Sequence, residues 1–125
     1  MTSSSLILGL AGILALFNPE ILSGALDVTI TKQLSVLIQL MGALYFSLAL
    51  MNWTAKDSAI GGIYARPVSL GNFTHFFIGT LLLAKYQLSN EINIPVLLAL
   101  VVYLIFASIF YWLVFLATGV KAENL

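Results

Sequence analysis

Few side chains in this sequence combine chemical capability with a place inside an apolar run. Asn72, His75 and Gly79 are spaced three and four positions apart and so fall on one helix face, with Thr80 one position off it. His75 is the only histidine. It follows Pro67 by eight residues, which sets it about 12 Å along a helix rising 1.5 Å per residue. Arg66, just ahead of that helix, carries a guanidinium whose fork matches carboxylate or phosphate. In the preceding apolar run Ser35, Gln39, Gly42, Phe46, Ala49 and Trp53 form a second stripe, where the small Gly42 and Ala49 permit close helix contact. Antiparallel packing of these two runs would bring Asn52 and Trp53 towards Arg66, Asn72 and His75. The expectation is a cavity built from Asn52, Trp53, Tyr64, Arg66, Asn72 and His75, with Gln39 on the same polar face of the second run. Arg66 would take an anionic head group, Asn72 and His75 would orient the ligand, and its tail would lie among Phe and Leu. The competing expectation is that Asn72 and His75 bridge helices by hydrogen bonds while Arg66 snorkels to the head groups.

Other chemistry is poorly provided for. The chain has no cysteine, which excludes disulfides and thiolate metal sites. One histidine and no carboxylate inside the apolar runs leave a metal centre without a donor set. A single axial histidine suffices for haem, but a lone buried histidine is more often a packed core residue. A proton relay through His75 lacks the acidic partner that pumps place inside the membrane. Ser35, Ser47 and Ser108 have no base beside them, and Asp27 and Asp57 fall in loops. Gly61-Gly62 is too short for a phosphate-cradling loop and reads as a turn. No catalytic residue, no metal and no cofactor is expected.

The elements that must position these residues follow from where charge is missing. Of 125 residues, 61% are hydrophobic and 8% charged, with a mean hydropathy of +1.06; soluble domains carry about 25% charged residues. Five basic residues balance five acidic ones, which removes the basic excess of a nucleic-acid partner. Between the charges lie neutral windows at 1–19, 33–55, 67–84 and 92–120. Each is close to the roughly 20 apolar residues that a helix needs to cross the bilayer's hydrocarbon core. The predicted fold class is therefore an all-α integral membrane protein: one domain, 1–125, forming an antiparallel bundle of four transmembrane helices over about 3–18, 31–53, 67–86 and 95–118. A soluble bundle needs polar outer faces, and Pro95 to Ala117 offers only Tyr103, Ser108, Tyr111 and Trp112. A transmembrane barrel needs alternation, which the continuously apolar windows lack.

The first window has no basic leader and no small-residue cleavage pattern, so it reads as a span and not as a signal peptide. Asn18-Pro19-Glu20 reads as a helix restart, with Asn18 as cap and a short interfacial helix over Ile21 to Leu26; a single helix kinked at Pro19 is the alternative. Thr31 is a plausible cap for the second span, and Thr118-Gly119 suits the end of the fourth. On the fourth span Tyr103, Phe106 and Phe110 share a packing face, while Trp112 and Phe115 are expected to point elsewhere. Trp53, Tyr64, Tyr86 and Trp112 fall near span ends, as interface anchors do. Lys56, Arg66 and Lys121 on one face outnumber Lys32 and Lys85 on the other, which places both termini in the cytoplasm.

Gly9-Leu10-Ala11-Gly12-Ile13-Leu14-Ala15-Leu16-Phe17-Asn18-Pro19-Glu20, followed by Leu37-Ile38-Gln39-Leu40-Met41-Gly42-Ala43-Leu44-Tyr45, resembles the small bacterial four-helix membrane proteins of the DoxX-like type. The resemblance covers the first half of the chain. It implies a four-helix bundle in a bacterial cytoplasmic membrane, with some relatives linked to respiratory or redox complexes, and transfers no catalytic residue. The sequence-level expectation is a non-enzymatic protein in contact with membrane lipids, as a homo-oligomer or in a larger membrane complex. It would bind or pass a small or lipid-like ligand at the polar face of the second and third spans. The alternatives are an accessory subunit and an oligomeric channel or carrier.

Overall fold

Apolar runs separated by polar segments such as Asn-Pro, Asp-Val-Thr and Glu-Ile-Asn-Ile-Pro fold as helices, because a helix pairs its backbone groups internally and needs no solvent. The computed structural model describes residues 1–57 and 65–117, and these contain helices and connections with no strand. The helices are α1 (Thr2–Phe17), α2 (Pro19–Ala25), α3 (Lys32–Thr54), α4 (Ala65–Ser89) and α5 (Ile94–Tyr111), which continues as a π-helical turn, Trp112–Leu116. The expected turn at Gly61-Gly62, the anchor Tyr64 and the helix stop at Thr118-Gly119 lie outside the described residues. The fold groups into two units, Met1–Lys56 and Asp57–Leu125.

In the first unit α1 and α3 pack antiparallel. Ser5 Oγ near the start of α1 donates to the Ala49 carbonyl at 2.7 Å, and Asn52 Nδ2 donates to Ser4 Oγ at 3.2 Å. At the far end Gln39 Nε2 donates to the Leu16 carbonyl at 3.2 Å. Between these braces Gly12 meets Gly42. A Cβ on Gly12 would lie 2.8 Å from the Gly42 carbonyl oxygen, and one on Gly42 would lie 2.9 Å from that of Gly12. Only glycine at both positions lets the two backbones come so close. The stripe predicted on the second span is thus the face that α3 turns to α1.

The chain bends by 102° between α1 and α2. A continuous helix kinked at Pro19 is therefore not what forms; Pro19 opens a new helix, as the restart reading expects. Asn18 occupies the N-cap position of α2 as expected, but its side chain makes no capping hydrogen bond; with φ −136° and ψ 62° its amide is bonded back to the Leu14 carbonyl. Thr31 does cap α3, accepting from the Leu34 amide at 3.2 Å. At the end of α2 the Val28 amide reaches the Ser23 carbonyl and the Asp27 amide that of Gly24, with Asp27 left-handed at φ 53°. This is the Schellman pattern, with aspartate where glycine is usual.

In the second unit α4 begins at Ala65, two residues before the predicted start, and extends to Ser89, so Lys85 lies within it. Asn93 caps α5 by accepting from the Val96 amide at 3.2 Å, with Pro95 in the first turn. Phe76 of α4 stacks on Phe106 and Phe110 with ring centroids 5.0 and 5.9 Å apart, and Phe76 and Phe110 are essentially inaccessible. Phe115 corrects the expectation from regular spacing: it packs edge-on to Phe73 at 5.5 Å. The wider π turn, closed by the Ala117 amide on the Trp112 carbonyl, brings Phe115 round to α4.

Polarity is inverted relative to a water-soluble bundle. Ser4, Ser5, Asn52, Ser69 and Asn72 are buried, whereas Leu10, Leu40, Leu44, Leu82 and Leu98 are exposed. Three helices, Lys32–Thr54, Ala65–Ser89 and Ile94–Leu116, are long and apolar enough to cross a membrane, and a fourth is reached if the bent pair α1 and α2 counts as one span. Alone, the 16 residues of α1 cover only about 24 Å of a roughly 30 Å core.

Candidate functional site

Most of the polar residues singled out by spacing are engaged in the helix pairs. In the first unit Gln39 and Asn52 both reach α1, one at each end. In the second, Asn72 is fully buried and donates Nδ2 to the Val68 carbonyl of its own helix at 2.8 Å. His75 Nε2 lies 3.2 Å from the Tyr103 hydroxyl of α5. One turn further along, Gly79 makes the slot in which the Tyr103 ring lies: a Cβ there would stand 2.5 Å from Cδ1 of that ring. His75 and Gly79 therefore face α5 together, as their shared helix face predicts, and their common neighbour is an aromatic ring. Arg66 is exposed in the first turn of α4. Tyr64 lies outside the described residues.

Trp53 differs from these. It is 45% exposed and lines an open groove of 330 Å3 between α1 and α3. Ser5, Gly9 and Ile13 form one wall, and Phe46, Ala49 and Trp53 form the other. Gly9 and Ala49 keep the floor shallow but continuous, since a Cβ on Gly9 would meet only Ala49 Cβ, at an ordinary 3.6 Å. The Ser5 hydroxyl is turned to the Ala49 carbonyl, so the lining offers almost nothing polar. From Ser5 to Ile13 the groove follows α1 for about 12 Å, most of the half-thickness of a bilayer core, roughly 15 Å. At the Trp53 end the Lys56 ammonium stands 3.6 Å from the centroid of the indole ring. That contact fixes a cation where α3 ends.

Of the residues that the sequence singled out for a ligand cavity, Trp53 lines this groove, whereas Ser5, Gly9 and Lys56 were not singled out for one. The available signal was the recurrence of small residues at Ser5, Gly9 and Gly12 on one side of the first span, facing the Gly42 and Ala49 stripe of the second.

No family model matches the chain, and no curated protein or solved structure matches it. The likeness to the DoxX-like group finds no support there, and the functional reading rests on the groove and the helix pairs.

Proposed function

We propose that the chain is an integral membrane protein, its spans antiparallel, that binds a lipid-like ligand without catalysing a reaction. The observation that carries this reading is the apolar groove between α1 and α3, open on one side and running along the helices from Trp53. A groove of this shape and lining suits an alkyl chain, because an apolar surface aligned with the bilayer normal gains dispersion contact with a chain and loses no hydrogen bond. This reading takes the groove between the first and second spans as the ligand site, with Trp53 in common with the expected polar face of the second and third.

A second reading, an accessory subunit of a larger membrane complex, is favoured by a separate observation. Gln39, Asn52 and His75 are used in contacts between neighbouring helices, as a structural part requires. Native mass spectrometry of protein released from lipid nanodiscs separates the two. Gly9→Leu fills the groove beside Ala49 while leaving the Gly12 and Gly42 contact untouched. Retention of a lipid-mass species by the wild type and its loss from Gly9→Leu is the expected result. No such species on the wild type, or equal retention by both proteins, leaves the accessory reading standing alone.

A further inference from the structure

We infer that the groove between α1 and α3 selects phospholipids of net negative charge, with Lys56 as the head-group contact. The inference rests on the alkyl-chain reading of the groove and adds to it the chemistry of the ligand's polar end. The groove is apolar along its length and terminates at Trp53, beyond which the next basic side chain, Lys56, is held over the indole. A chain lying in the groove with its head at this end has its phosphate beside that ammonium. Two further features act in the same direction. The antiparallel pairing sets the start of α1 at this end, so the unpaired amides and positive dipole of a 16-residue helix face the same region. In the last turn of α3 two carbonyls are occupied, Met51 by the Ala55 amide and the Thr54 hydroxyl and Trp53 by the Lys56 amide, which reduces the opposing negative end.

Besides the carbonyl end of α3, the group that works against an anion is Asp57, exposed and next in the chain to Lys56. Its presence makes the expected preference moderate and gives the test a second arm. Free phosphate shares the chemistry of the head group but gains none of the apolar contact that the groove offers an alkyl chain.

The test uses the full chain in nanodiscs made from equal parts of phosphatidylglycerol and phosphatidylcholine with identical acyl chains. The ratio of the two lipids retained is read by native mass spectrometry. One lysine beside an anionic surface supports about a fivefold preference for phosphatidylglycerol in the wild type. Lys56→Gln should bring the ratio to about one with total retained lipid unchanged, Lys56→Arg should keep the preference, and Asp57→Asn should raise it. Equal retention of both lipids by the wild type, or a preference that survives Lys56→Gln, overturns the inference and leaves the groove reading intact. Unchanged retention by Gly9→Leu overturns the groove reading itself, and the two failures are thereby distinguishable.

Discussion

Replacing Gly12 by alanine forces α1 and α3 apart, and the structure sets the size of the effect. The added methyl would lie 2.8 Å from both the Gly42 carbonyl oxygen and the Phe46 amide nitrogen. Ordinary carbon to oxygen contact begins near 3.4 Å, so the helices must separate by about 0.6 Å, and no side-chain rotation relieves a clash with backbone. Such overpacking costs about 1–3 kcal/mol. The same shift lengthens the Asn52 to Ser4 and Gln39 to Leu16 hydrogen bonds, both 3.2 Å, beyond bonding distance. Each is worth about 0.6 kcal/mol between membrane helices. Against this, alanine is favoured over glycine within a helix by about 1 kcal/mol. The expected net loss is about 1–3 kcal/mol.

Unfolding in mixed detergent micelles, followed by Trp53 fluorescence in a Trp112→Phe background, measures this loss. Gly42→Ala meets the same contact from the other side, at 2.9 Å from the Gly12 carbonyl and the Leu16 amide. Once the first methyl has parted the helices, the second has little left to displace, and the double variant should lose about 1 kcal/mol less than the two single losses added together. Stability within 0.5 kcal/mol of wild type for Gly12→Ala, or simple additivity in the pair, refutes a direct backbone contact at this crossing.

Two further outcomes follow from local geometry. Gly79→Ala should cost about 1–3 kcal/mol in the same assay by pushing the Tyr103 ring from its slot, and should become neutral when Tyr103→Ala empties the slot first; a full cost in that background places the clash elsewhere. Asp27→Gly should stabilise the turn after α2 by about 1 kcal/mol, since Asp27 is held at φ 53° where glycine is unstrained, and a melting temperature at or below wild type would contradict the reading of that turn.

How far the sequence reached is clearest in its stripes. Ser35, Gln39, Gly42, Phe46, Ala49 and Trp53 were legible as one face because helical periodicity is a property of the chain alone. The partner of that face was not legible, because apolar helices of similar composition are interchangeable in a pattern argument. The partner is α1, whose Ser4, Ser5 and Gly12 answer Asn52, Ala49 and Gly42. The same limit holds for His75: its face with Gly79 was visible, while the Tyr103 ring that fills the notch comes from 28 residues away.

What the sequence alone determined is a helical chain and the approximate course of its long apolar helices, since scarce charge and long apolar windows favour internal pairing of the backbone. It also determined the caps whose partners are local, Thr31 and Asn93, though it identified only the first in advance. Tertiary structure alone decided which polar groups are spent and which surface remains open. Asn52 and Gln39 are consumed by α1, bonded across to Ser4 and to the Leu16 carbonyl. The apolar groove forms because Gly9 and Ala49 stand opposite each other across two helices that glycine lets come close. Lys56 acquires a place at its end only through the Trp53 ring beneath it, a relation between side chains that no count of charges contains.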